Sequence, residues 1–143
     1  MIKRLCLLIF LAAVLTFTSI AYSQTEKNTM RLPSGELVCD LNGEWSALYE
    51  PYGPMEMFGE IKSAIKITQQ GNKFLGKTLV DTGFAPAGTE KIRGELDKEG
   101  TKKVQLTRPD KKDWSDGNAE VSKDCNKVVI DDGDGLKMTF ERR

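Results

Sequence analysis

The residues best suited to binding chemistry in this chain are apolar and lie in segments that cannot form regular structure. PYGPMEMFGE (51–60) combines Pro and Gly, which interrupt helices and strands, with methionine and aromatic side chains that proteins usually bury. Such loops either provide an adaptable apolar binding surface or fold over and seal a core. Two further segments, DTGFAPAGT (81–89) and KKDWSD (111–116), each contribute one aromatic residue. The candidate ligand-binding residues are Tyr49, Tyr52, Met55, Met57, Phe58, Phe84 and Trp114.

Catalytic chemistry has little support in the sequence. Histidine is absent, which removes nucleophile–histidine schemes, imidazole zinc ligands and the usual neutral-pH base. The acidic stretch DDGDG (131–135) fails the spacing of an EF-hand loop, and a hairpin turn is its ordinary interpretation. We therefore expect no catalytic residues, no metal and no cofactor, and we expect that the chain is not an enzyme.

Residues 1–23 resemble a secretory signal peptide. A short apolar run follows Lys3 and Arg4, and small residues precede a cleavage position before Gln24. A structural helix and an uncleaved membrane anchor are the alternatives, although the run is short for a membrane span. The sequence predicts an exported protein, periplasmic or secreted, with no stable membrane anchor after cleavage.

The remaining chain has the length of one domain. Loss of Lys3 and Arg4 would leave 19 of 21 basic residues against 21 acidic ones, so there is no electrostatic argument for a nucleic-acid partner. The polar segment 24–37 has no periodicity and is predicted to be a flexible lead. Residues 38–143 are predicted to form the single folded domain.

Alternation of apolar and polar residues at short spacing predicts an all-β domain. A helix within 55–70 is the alternative, but its Ile-Lys-Ile-Thr ending is β-branched and alternating. The pattern predicts eight strands, at 41–49, 60–69, 73–80, 91–96, 103–107, 118–122, 126–131 and 136–142. The predicted interior is aliphatic: Ile65, Ile67, Val104, Leu106, Val128, Ile130 and Met138.

The connections between these strands alternate in length. The second, fourth and sixth are short enough for tight hairpins, whereas three of the other four are about ten residues long. In an up-and-down meander, odd and even connections lie at opposite ends. The sequence therefore predicts an eight-stranded antiparallel barrel with long loops at its open end and tight turns at its base.

Cys39 and Cys125 remain after loss of Cys6 with the signal, and an even pair in an exported domain favours one disulfide. Two separate buried thiols are the alternative. In a closed meander both residues lie at the base, so a bridge there is geometrically feasible.

CDLNGEW (39–45) and GNKFLG (71–76) resemble sequences of avidin- and lipocalin-like barrels. The first fits the avidin family's C-x-L-x-G-x-W, and the second is similar to its G-x-F-x-G with one residue more. The resemblance implies a barrel that binds a ligand at its open end. Ser46 follows Trp45 where that family tends to have Asn, and the aliphatic interior is unsuited to a polar ligand such as biotin. Trp45 is predicted to plug the core near the base, with ligand stacking as the alternative.

Two functional hypotheses follow. The first is an exported binding module that takes a small apolar or amphipathic ligand at the open barrel end. The second is a protein–protein interaction or inhibitor module of the cell envelope or extracellular space. In that case the aromatic rim loops contact a partner and the barrel interior is solid.

Overall fold

The computed structural model describes residues 28–108 and 113–143, so the predicted signal peptide lies outside the described residues. These described residues are all-β, with ten strands and one short 3-10 helix at Gly53–Phe58. The strands are β1 (Thr29–Arg31), β2 (Leu37–Cys39), β3 (Gly43–Pro51), β4 (Ile61–Gln70), β5 (Lys73–Thr78), β6 (Glu90–Asp97), β7 (Gly100–Thr107), β8 (Trp114–Val121), β9 (Lys127–Asp131) and β10 (Leu136–Arg142).

Strands β3 to β10 close into one barrel in which every neighbouring pair is antiparallel. Each strand pairs with the next in sequence, and β10 returns to β3. The predicted eight-stranded up-and-down barrel is confirmed. Closure leaves these strands without a free edge.

Three local predictions were wrong. Residues 51–60 were expected to lack regular structure, but they contain the 3-10 helix, with Pro54 near its start where a missing N–H costs nothing. Strand β8 begins at Trp114, so the third long connection is shortened to 108–113. The segment 24–37 was expected to be a flexible lead; residues 24–27 lie outside the described residues, but in the remainder β1 pairs with β2.

The β1–β2 hairpin covers the base of the barrel. Val38 is buried in the main core, and Met30 and Leu32 pack against it. The Asn28 side chain donates hydrogen bonds to the Asp124 carbonyl and to Asn126 Oδ1, at 3.1 and 3.0 Å. Apolar burial, together with these bonds to the β8–β9 turn, orders a segment whose polar composition gave no such signal.

The predicted disulfide joins Cys39 to Cys125, with Cα atoms 5.6 Å apart. Cys39 ends β2, and Cys125 lies in the β8–β9 turn, so the bridge is at the base as predicted. The same turn places Cys125 at a positive φ of 58°. A disulfide of this kind is compatible with an exported protein.

The barrel interior is filled by side chains. The seven predicted interior residues are at most 3% exposed, and Trp45, Phe74, Ile92, Leu96 and Phe140 are buried among them. Trp45 is completely buried, as the core-plug prediction required, and its indole Nε1 donates to the Leu41 carbonyl at 2.9 Å. Eight strands enclose a space that side chains of this size can fill.

A β-bulge interrupts the pairing of β5 with β6. Gly76 pairs with Ile92 and Lys77 pairs with Glu90, which leaves Lys91 as an extra residue on β6. Alternation placed Lys91 on the outer face opposite Ile92, but both residues are buried. The bulge therefore adds a lysine to the inner face of the upper barrel.

Candidate functional site at the barrel mouth

The described part of the barrel mouth consists of the connections 52–60, 79–89 and 132–135, together with Arg108 and Asp113; residues 109–112 lie outside the described residues. The opposite end carries the three tight turns and the disulfide. The predicted separation of elaborate and plain ends is confirmed. The chemistry of the mouth depends on how these connections pack on one another.

The first connection docks onto the β9–β10 turn. The Tyr52 N–H donates to the Gly135 carbonyl at 2.8 Å, and the Tyr52 hydroxyl donates to Asp131 Oδ1 at 2.8 Å. Met55 is buried against Gly135, where a Cβ would lie 2.8 Å from Met55 Cγ. Gly135 also has a φ of 128°, so a side chain at this position would be strained as well as crowded. These contacts hold the first connection over one side of the mouth.

An aromatic contact joins the first and second connections. The Phe58 and Phe84 rings meet edge to face, with centroids 5.3 Å apart. Phe84 is still 46% exposed, while Phe58 is partly buried. Two of the predicted rim residues therefore contact each other across two connections, and the contact is partly exposed to solvent.

Arg108 spans from the end of β7 to the β9–β10 turn. Its Nη1 lies 3.2 Å from Asp132 Oδ2 and 2.6 Å from Asp134 Oδ2. The Arg108 and Asp132 side chains are 4% and 1% exposed, so this ion pair is buried. It ties two connections together across the mouth.

The DDGDG stretch is a hairpin turn, as expected. Asp131 Oδ1 accepts the Gly133 N–H, and Asp132 Oδ1 accepts the N–H groups of Asp134 and Leu136. Its carboxylates thus accept hydrogen bonds from the turn backbone and from the Tyr52 hydroxyl, and they pair with Arg108. Among the described residues, no group of three or more acidic or cysteine side chains is arranged to hold a metal ion.

Beneath these covers lies a small, mainly apolar cavity of about 20 Å³. A space of this size holds one water-sized group, not a whole ligand. Its walls come from five strands and the second connection: Tyr49, Pro51, Ile61, Thr82, Phe84, Lys91, Thr107, Leu136 and Met138. The interior below is filled, so a bound molecule would sit at the mouth.

Tyr49 places a hydroxyl group in this mainly apolar cavity, where it has no well-formed hydrogen bond. The residue is 6% exposed, and the Tyr49 and Ser63 hydroxyl oxygens are both buried without a well-formed hydrogen bond. Burial raises the pKa of Tyr49 to about 12, and the nearby Ser63 hydroxyl offsets a little of that rise. Tyr49 therefore stays a neutral phenol whose O–H can donate.

Lys91 lines the same cavity and is 8% exposed. Burial lowers the pKa of its ammonium group, because the charged form loses hydration. Within the described part of the chain, Lys91 Nζ makes no hydrogen bond or ion pair. A buried charge without a partner is expensive, which marks Lys91 as unusual for a structural residue.

The structure brings together only part of the predicted site. Tyr49 and Phe84 line the cavity, and Phe58 contacts Phe84. Tyr52 is 39% exposed and Met57 is 85% exposed at the rim, whereas Met55 is a buried packing residue. Trp114 was expected in a rim loop, but it lies on strand β8, where the Arg93 guanidinium stacks on its ring at 4.2 Å.

Trp114 is on the outer wall, because its ring contacts the guanidinium of Arg93, an exposed residue of β6. Sequence reasoning missed Lys91, Thr107 and Leu136 as cavity residues. Leu136 carried a signal, since it begins an alternating apolar segment at the mouth end. Lys91 carried none, because its inward direction results from a bulge that no residue pattern revealed.

Replacing Lys91 with methionine is expected to raise the free energy of unfolding at neutral pH by about 1–3 kcal/mol, the usual cost of a buried polar group without a partner. Methionine keeps the unbranched stem and removes the charge. The gain should shrink as pH rises from the lowered folded pKa of Lys91 towards its ordinary value of 10.5, because wild-type lysine then loses its charge. Urea unfolding at several pH values measures both effects.

Lys66 on the outer face of β4 is the matched control, since it is exposed. Lys66→Met should change stability by less than about 0.5 kcal/mol. A loss of stability in Lys91→Met would show that the lysine has a partner that stabilises the fold.

The fold defines the class of protein as a closed eight-stranded antiparallel barrel, consistent with a calycin-like architecture. Comparison with known protein families, curated proteins and solved structures finds no match to this chain. The described residues include no helix that is both long enough and apolar enough to cross a membrane.

Proposed function

We propose that this protein is an exported, non-catalytic binding module that holds a small amphipathic molecule at the open end of its barrel. The observation that carries the proposal is that two polar groups line one mainly apolar cavity: the Tyr49 hydroxyl, which has no well-formed hydrogen bond, and the Lys91 side chain, which is 8% exposed. Ligand sites combine apolar walls with a few converging polar groups that fix orientation. Folding alone would be served better by apolar side chains at both positions.

The rim supports this proposal with an apolar surface next to the cavity. Phe84 both lines the cavity and is half exposed, and Tyr52 and Met57 are exposed at the same end. A molecule larger than the cavity would enter it partly and lie partly against this rim.

Export belongs to the same proposal. It is supported by the signal-like sequence at 1–23 and by the Cys39–Cys125 disulfide, since such bridges persist in oxidising compartments. Membership of the avidin- or lipocalin-like barrels remains a prediction supported by CDLNGEW and by the closed barrel.

The second candidate function is a protein–protein interaction or inhibitor module of the cell envelope. Two observations favour it: side chains fill the barrel interior, and Met57 projects from the rim at 85% exposure. An envelope or extracellular protein would then be the partner, with the Tyr52, Met57 and Phe84 side chains inserted into it.

Native mass spectrometry of the protein purified from its own host tests the proposal. We expect a small molecule to accompany the wild-type chain and to be lost from Phe84→Ala, because that change removes part of the cavity wall. Trp114→Ala is the control, since Trp114 lies on the outer wall, and it should keep the molecule. A ligand-free wild-type chain that instead retains a protein partner would favour the second function.

A further inference from the structure

Among the described residues of the mouth, no acidic side chain forms an ion pair with Lys91. The acidic side chains of the β9–β10 turn have other partners: Asp132 and Asp134 contact Arg108, and Asp131 accepts the Tyr52 O–H. The adjacent Glu90 points to the outer face, where it lies 3.7 Å from Lys77 Nζ. Within the described residues, Lys91 is thus a largely buried lysine at a mainly apolar cavity, without a counter-ion.

The chemistry of the cavity selects among ligand head groups. An anion would pair with the ammonium group and could also accept the Tyr49 O–H, whereas a cation would be repelled. A neutral hydroxyl could accept from either donor but would leave the charge uncompensated. The two donors therefore favour a negatively charged acceptor.

The shape of the site fixes the orientation of such a ligand. The cavity of about 20 Å³ admits only a small group, and the interior below is closed by buried Met138, Leu136 and their neighbours. An aliphatic tail cannot enter the barrel, but it can lie against the apolar rim formed by Pro51, Ile61 and Phe84. The head group must therefore enter first.

We propose that Lys91 is the anion-binding residue of the mouth, and that the ligand is an amphipathic molecule whose single negatively charged head enters the cavity while its apolar part lies along the rim. This inference rests on the proposed binding function and specifies its ligand class. The β6 bulge is the structural device that supplies the residue, since it turns Lys91 inward where regular pairing would leave it outside.

The test uses three probes with the same ten-carbon chain: decanoate, decanol and decylammonium. Titration of the isotope-labelled full chain, followed by two-dimensional amide NMR, measures affinity and locates binding. We expect decanoate to bind at least about tenfold more tightly than decanol, with decylammonium weakest, because bonds to charged groups contribute about 1.5–3 kcal/mol. The shifted amides should include those of Tyr49, Ile61 and Lys91.

Matched variants separate charge from packing. Lys91→Met should weaken decanoate binding about ten- to a hundredfold and leave decanol binding equal or stronger, since the cavity becomes fully apolar. Lys91→Arg should keep the preference for decanoate. Lys66→Met, which removes an exposed lysine on the outer wall, should bind all three probes as the wild type does.

The outcomes distinguish the two levels of the proposal. Equal binding of the three probes at the mouth, or an unchanged decanoate preference in Lys91→Met, would overturn the anionic head group and leave an amphipathic ligand in place. If none of the probes shifts amides at the mouth, the binding function is overturned together with the inference.

Discussion

Replacing Trp45 with alanine is expected to lower the free energy of unfolding by about 3–5 kcal/mol, the range for removal of a buried large aromatic residue. The side chain is completely buried, and its Nε1 donates to the Leu41 carbonyl at 2.9 Å. The Arg142 guanidinium also lies 4.5 Å from its ring centroid. Urea unfolding followed by far-UV circular dichroism measures the loss without relying on tryptophan fluorescence.

The effect should spread through Arg142, because Trp45 positions a side chain that bonds several backbone groups. Arg142 donates to the carbonyls of Asp40, Asn42 and Cys125, at 2.6, 3.1 and 3.1 Å. These bonds join the segment before β3, the β8–β9 turn and the end of β10. Trp45 therefore supports the closure of the barrel base as well as its core.

Trp114 is the matched control, since the sequence has only two tryptophans and this one lies on the outer wall. Trp114→Ala should cost no more than about 1 kcal/mol, the scale of an exposed cation–π contact. Similar losses in the two variants would contradict the assignment of Trp45 as the residue that fills the base.

Reduction of the disulfide is expected to lower stability by about 4 kcal/mol. The bridge spans 86 residues, and the chain-entropy description gives this magnitude for a loop of that length. It also joins the β1–β2 hairpin to the β8–β9 turn, so we expect the hairpin to lose protection from amide exchange first. Urea unfolding with and without dithiothreitol measures the change.

The double variant Cys39→Ala with Cys125→Ala provides the control. Its stability should match that of the reduced wild type, apart from a small term for lost sulfur packing, and dithiothreitol should not alter it. A stability change below about 1 kcal/mol on reduction would show that contacts of the hairpin alone hold the base closed.

Much of the architecture could be predicted because a barrel wall imposes a strict period on its residues. Inward side chains such as Ile65, Val128 and Met138 must be apolar, and their neighbours must suit solvent, so strands appear as alternation. Connection lengths then gave the topology, because a two-to-five-residue link can join only antiparallel neighbours. The disulfide followed from the compartment and from the shared end of its two cysteines.

The boundaries of individual strands were harder to predict from the sequence, since they depend on contacts between distant segments. Strand β1 is ordered by pairing with β2 and by contacts to Asn126, a residue 98 positions from Asn28. Strand β8 extends back to Trp114 because Thr107 offers a pairing partner there. Neither partner can be identified from the composition of the segment itself.

The sequence by itself therefore determined the closed barrel, its plain and elaborate ends, the apolar residues that face inward and the disulfide. Only the tertiary structure decided which polar groups enter the mouth. A bulge opposite Gly76 turns Lys91 inward, and strand pairing places Trp114 outside. The physical reason is that period-two patterning specifies a face only while the register is regular, and a one-residue bulge reverses the face without changing the residue types.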